Sequence, residues 1–311
     1  MESTKTKAVK KFGLIITASV MALSLTGCGK DKYGMVKVKG GALSQPLIDS
    51  LSLRIDNPSP DATPESPVFS LEVSDFYISK YEVTQELYKE IMSVDSEVNA
   101  TPSYFNESPF EGEEQSKRPV ERITWYDALD FCNKLSIKEG LDPVYTIRDI
   151  SRYSKDNAIK YAAVTADYSR NGYRLPTAAE WIYAATGGAK SKENYKYSGS
   201  DNLDDIAWHD ENSSDMTHQV GLKKANELGL YDMTGNVAEW CWDYTWNEKF
   251  EYRPYNNYKG PKNGITRIIK GGSFDYLAVG TFFAYENNNE VNGILGLRYF
   301  NVGFRIARNA D

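Results

Sequence analysis

The chain has 311 residues, 41% of them hydrophobic and 25% charged, with a formal net charge of -7. That composition excludes a wholly disordered chain, and the length suits one large or two small domains. The acidic balance excludes sequence-independent nucleic-acid binding, which needs a basic footprint to displace counterions.

Four lysines (Lys5, Lys7, Lys10, Lys11) precede an apolar run from Phe12 to Leu25, too short for an ordinary membrane span. The run ends in Leu25-Thr26-Gly27-Cys28, which resembles the bacterial lipobox. The resemblance implies that 1–27 is a lipoprotein signal peptide, that Cys28 becomes acylated, and that 28–34 is a short lipidated tether. A lipid anchor holds a chain to a membrane without spanning it, so the expected location is the bacterial cell envelope, on the outer surface.

Met35 to Gly41 alternates like a strand and ends in a Gly-Gly turn, while 56–67 (DNPSPDATPESP) reads as an exposed loop. Phe69 to Ile78 returns to strand character. Glu82 to Met92 reads as a helix with Thr84 as N-cap, and Thr124 caps a second helix beginning at Trp125. Tyr161 to Ala163 is a short strand before the Asn171-Gly172 turn. Thr177 with Glu180 three residues on has capping-box spacing, giving a third helix through Ala185. Beyond Gly188 the chain is loop-rich, with short apolar runs at 229–233, 237–242, 267–269 and 302–306. Long loops carry function more often than the scaffold does. Trp208 and Trp246 lie among them, where core packing is favoured over flanking a site. Cys132 falls on the apolar face of the second helix and reads as a buried thiol, with no bridge to Cys241 expected.

Six segments in order resemble the formylglycine-generating-enzyme, or sulfatase-modifying-factor, family: FYISKYEVTQELYKEIM (76–92), RPVERITWYDALDFCNKL (118–135), GYRLPTAAEWIYAA (172–185), GLYDMTGNVAEWCW (229–242), RIIKGGSF (267–274) and VGFRIAR (302–308). The resemblance implies one α+β domain over 35–311 with a C-type-lectin-type fold, loop-rich and with few regular strands and helices. Within the motifs, Gly235 is available for positive φ and Gly271-Gly272 for close backbone approach.

The family's oxidases hold copper with two cysteines just past Gly-Gly-Ser-Phe, because Cu(I) needs soft thiolates. Residues 275–301 contain no Cys, and the chain's two histidines (His209, His218) cannot build the three-His iron site of the sulfoxide synthases. No catalytic residue is therefore assigned, and a non-enzyme is expected. Asn236 and Glu239 match a family calcium site, with a turn cap and a local ion pair as an equally weighted alternative.

The stretch between the last two framework motifs departs from the catalytic pattern and carries Asn287-Asn288-Asn289, Asn292 and Asn301 among aromatic and small residues. It resembles the variable proteins of diversity-generating retroelements, treponeme variable proteins among them. Asn codons are adenine-rich, and replacing those adenines yields Tyr, Asp, Leu, Gly or Phe. The resemblance implies a candidate variable region over 267–308. Its ligand-binding set is Asp275, Tyr276, Leu277, Gly280, Phe283, Asn287, Asn288, Asn289, Asn292, Tyr299, Phe300 and Asn301. The aromatic and apolar members are exposed anchors, and the asparagines adaptable hydrogen-bonding groups. The expected function is a surface-displayed lipoprotein binding a protein or glycan ligand. The alternatives are an oxidoreductase with an atypical metal site and a structural envelope lipoprotein.

Overall fold

The computed structural model describes residues 33–44, 54–55, 69–191, 195–245, 249–251, 253–275 and 292–310. The architecture is α+β, with small sheets and short helices embedded in long connections.

Three threonines start the helices expected from sequence. Thr84, Thr124 and Thr177 are extended N-caps whose hydroxyls accept the N–H of Leu87 (3.3 Å), Asp127 (3.0 Å) and Glu180 (3.1 Å). The helices run Gln85–Met92, Trp125–Lys138 and Ala178–Ala185. Asp127 and Glu180 return the bond to the cap N–H, completing two capping boxes. A one-turn helix at Leu203–Ile206, without a side-chain cap, had no periodic signal to reveal it.

Strand Ala238–Tyr244 divides the interior, because alternate side chains of a strand point to opposite faces. Ala238 and Trp240 enter one buried cluster with Trp125, Leu129, Phe131, Phe304 and Ile306. Cys241 enters the other with Leu71, Phe76, Ile78, Trp181 and Ile182. Each fully buried large apolar side chain contributes about 1.5–3 kcal/mol, so the strand anchors both halves.

Met35–Val38, Phe76–Ser79 and Ala307–Asn309 form a three-stranded sheet with Phe76–Ser79 central. Within the expected strand 69–78, the chain breaks at 74–75 into Ser70–Val73 and Phe76–Ser79, which join different sheets. The expected Tyr161–Ala163 strand is the middle of a longer one, Ile159–Ala166, paired antiparallel with Tyr145–Arg152. The latter escaped sequence reading because Asp149 takes a positive φ of 52° and the register shifts between Arg148 and Ser151, which breaks the alternation.

The sheet that positions the site has the order Asn292–Ile294, Thr266–Lys270, Ala238–Tyr244, Val302–Gly303. Val302–Gly303 runs parallel to Ala238–Glu239, on the side opposite Thr266–Lys270. Glycine is required where this frame is tightest. Gly235 has φ of 79°, and a Cβ there would lie 2.2 Å from the Trp208 carbonyl oxygen.

Candidate functional site

Strand Thr266–Lys270 leads through Gly271-Gly272 to Ser273, Phe274 and Asp275, and Asn301 precedes the returning Val302–Gly303 strand. The two ends meet. Ser273 Oγ donates to Asp275 Oδ1 (2.7 Å), and Asn301 Nδ2 donates to both Asp275 oxygens (3.0 and 3.2 Å). Two further bonds fasten the clasp from beneath: Ser213 Oγ to the Phe274 carbonyl (2.8 Å) and Phe274 N–H to the Asn236 carbonyl (2.8 Å). Asp275 and Asn301, expected as ligand contacts, are thus bonded to each other.

Beside the clasp lies an aromatic shelf. Phe274 is buried and meets Phe105 edge-on (centroids 5.1 Å apart) and Phe300 at a tilt (6.1 Å). Tyr104 caps Phe105 edge-on (5.0 Å) and approaches Phe300 (6.3 Å). Tyr104 is 61% exposed and Phe300 48%, so two rings face solvent on a base of two packed ones. Leu297 and Ile294, a few residues before Phe300 in the chain, are also exposed. Phe300 therefore stands outward as expected. Tyr299 does not: it is half-buried, packs on the first core cluster beside Trp240, and its hydroxyl accepts the Ile294 N–H. The chain turns here, with Val302 N–H donating to the Tyr299 carbonyl, so the two neighbouring rings leave it on different sides.

Tyr104 and Phe105 were missed by sequence reasoning. Their signal was a Tyr-Phe pair in an otherwise polar, Pro-containing loop. The loop is held from below by Glu121, wholly buried, whose Oε2 and Oε1 accept the N–H groups of Tyr104 and Phe105 (3.0 Å each). Burial pushes the Glu121 carboxyl up to about 7, against the lowering effect of these bonds, Ser103 and Arg118. Arg118 lies across the Phe105 ring at 5.2 Å, with Nε donating to Thr217 Oγ1 (3.0 Å).

Cys28, Tyr276, Leu277, Gly280, Phe283, Asn287, Asn288 and Asn289 lie outside the described residues, as does Trp246; Asn292 opens the strand Asn292–Ile294. Trp208 stacks on His218 at 3.7 Å.

Asn236 and Glu239 do not form a cation cage. Glu239 is wholly buried; Arg305 Nε donates to both its oxygens (2.9 and 2.7 Å) and the Trp181 indole N–H to one (2.7 Å). Asn236 Oδ1 accepts the His218 N–H (2.9 Å), and its amide donates to Glu82 (2.8 Å). A guanidinium already holds the carboxylate that calcium would need, so these residues do not fit the ion. Among the described residues, no three His, Cys, Asp or Glu side chains gather where a metal ion would sit.

Cys132 and Cys241 are free, wholly buried and in different core clusters. Burial pushes both thiols up, away from the thiolate form that binds soft metals or attacks disulfides.

The family model of the sulfatase-modifying factor enzyme 1-like domain matches residues 25–310. Chaperone protein LppX of Paenibacillus barcinonensis is 42% identical over 246 residues, 72% of this chain and 78% of that protein. A formylglycine-generating enzyme of Thermomonospora curvata is 27% identical over 269 residues, 78% of this chain and 82% of the enzyme. Among solved structures, Treponema denticola variable protein 1 matches with a TM-score of 0.69 and 33% identity, over 89% of this chain and 95% of that one.

Proposed function

Because this chain belongs to the sulfatase-modifying-factor family yet has no cysteine in residues 275–301, where the family's oxidases hold copper, we propose that its domain binds a polypeptide without oxidising it. The observation that carries this reading is the aromatic shelf. Exposed Tyr104 and Phe300 rest on packed Phe105 and Phe274, a rigid surface that loses little entropy on binding. Apolar rings clustered in solvent fit a partner better than solitary display. Two relatives support it: one is named a chaperone, the other a variable protein. In this reading Cys28 carries the lipid anchor, the protein works in the cell envelope, and the segment between Asp275 and Asn301 varies the contact while the bond between those two residues insulates the fold from the changes.

The test uses the full chain in detergent with an unfolded, cysteine-containing polypeptide, following binding by fluorescence anisotropy and aldehyde formation with added copper. Saturable binding is expected, weakened about tenfold in a Tyr104→Ala, Phe300→Ala variant, as for loss of interface anchors, with no aldehyde formed. Copper-dependent aldehyde, or binding indifferent to the two rings, would refute it. A near-copy of the codons for 275–301 beside a reverse-transcriptase gene, differing mainly at adenines, tests the diversification separately.

A further inference from the structure

Glu121 spends its whole carboxylate on one task. It is buried, and each oxygen takes one of two consecutive backbone N–H groups, those of Tyr104 and Phe105. Ser103 adds to the same arrangement, its hydroxyl accepting the Glu121 N–H at 3.3 Å. An ionised carboxylate is acceptor-only and satisfies both amides at once. A protonated one presents an O–H on one side, and that oxygen is a much weaker acceptor for the N–H it faces. The residues so held carry half of the aromatic shelf: Phe105 against Phe274, and Tyr104 toward Phe300.

We propose that Glu121 is the positioning residue of the aromatic surface, and that its proton state sets how tightly that surface holds an unfolded polypeptide. The affinity half rests on the function proposed above. With Glu121 ionised, the loop from Ser103 to Phe105 is fixed and the shelf preformed, so binding does not have to order it. With Glu121 protonated, one amide faces only the weaker hydroxyl oxygen and the two rings gain freedom. The carboxyl is pushed up to about 7 mainly by burial, which places the change near neutrality. The charged group facing it is Arg118, in its own segment. Beyond Arg118 stands Glu113, which is paired with His218 Nδ1 at 2.7 Å. Glu121→Gln leaves that pair in place, so it separates the two.

The experiment follows two readouts of the full chain between pH 6 and 8. The backbone amide resonances of Tyr104 and Phe105 report the latch directly, and anisotropy with the unfolded polypeptide reports affinity. In the wild type both amides titrate with a midpoint near 7, and affinity falls on acidification by about fivefold, the worth of one hydrogen bond. Glu121→Gln keeps one acceptor and does not ionise, so its amides stay fixed across the range and its affinity is low and independent of pH. Glu121→Asp, one carbon too short to reach both amides, is weak throughout. Static amide resonances in the wild type, or a Glu121→Gln profile parallel to it, would overturn the role of Glu121. No polypeptide binding at any pH, with the amides still titrating, would instead overturn the proposed function.

Discussion

Asp127 offers a measurable link between a helix cap and acid stability. Its Oδ2 accepts the Thr124 N–H (3.1 Å) and its Oδ1 reaches across to the Ile159 N–H (2.9 Å), so one carboxylate caps a helix and pins a strand. Burial is the largest effect on its carboxyl and raises it from 3.8 to about 6, outweighing those bonds. A group whose folded value is raised binds its proton more tightly when folded. It has no effect below about pH 4, where both states are protonated, and it costs stability progressively as pH rises from about 4 to 6. At 1.36 kcal/mol per unit, the full cost is about 3 kcal/mol. Asp127→Asn removes that titration. It also turns an N–H donor toward one of the two amides, costing about 1–3 kcal/mol at every pH. Urea unfolding followed by tryptophan fluorescence from pH 4 to 8 therefore gives the variant a deficit of about 1–3 kcal/mol at pH 4 that moves by about 3 kcal/mol in its favour, reaching parity or a gain of up to about 2 kcal/mol at pH 8. Asp232, raised to about 6, and Glu121 contribute slopes of the same sign. They occur in both proteins, so the difference between the two curves isolates Asp127. Curves that run parallel across the range would refute the reasoning.

Arg305→Ala leaves Glu239 charged and buried, and should lower stability by about 3–5 kcal/mol in the same assay. Thr177→Ala removes the hydroxyl that accepts the Glu180 N–H, and should cost about 1 kcal/mol. Chelator should leave Tm unchanged to within about 1 °C, since a bound ion would add stability by mass action; a larger fall would restore a calcium site. Cys132 and Cys241 should react with a thiol reagent only on unfolding, as both are wholly buried.

Much of the frame was legible because its signals are local. A threonine before an apolar period needs only its next three residues to start a helix, and Thr84, Thr124 and Thr177 all do so. The motifs at 229–242 and 267–274 likewise announced a turn and a close backbone approach at Gly235 and Gly271, both of which have positive φ. The hairpin strand Tyr145–Arg152 was not legible, since its bulge spoils the alternation that identifies a strand.

The site divides the same way. The sequence by itself determined the family resemblance and the lack of cysteine in residues 275–301. Only tertiary structure brought Tyr104 and Phe105 beside Phe274 and Phe300, turned Tyr299 inward, bonded Asp275 to Asn301 and gave Glu239 to Arg305. The physical reason is distance along the chain. Capping and turn formation act over a few residues, whereas Phe105 and Phe274, or Glu239 and Arg305, become neighbours only when sheet order and packing place them together.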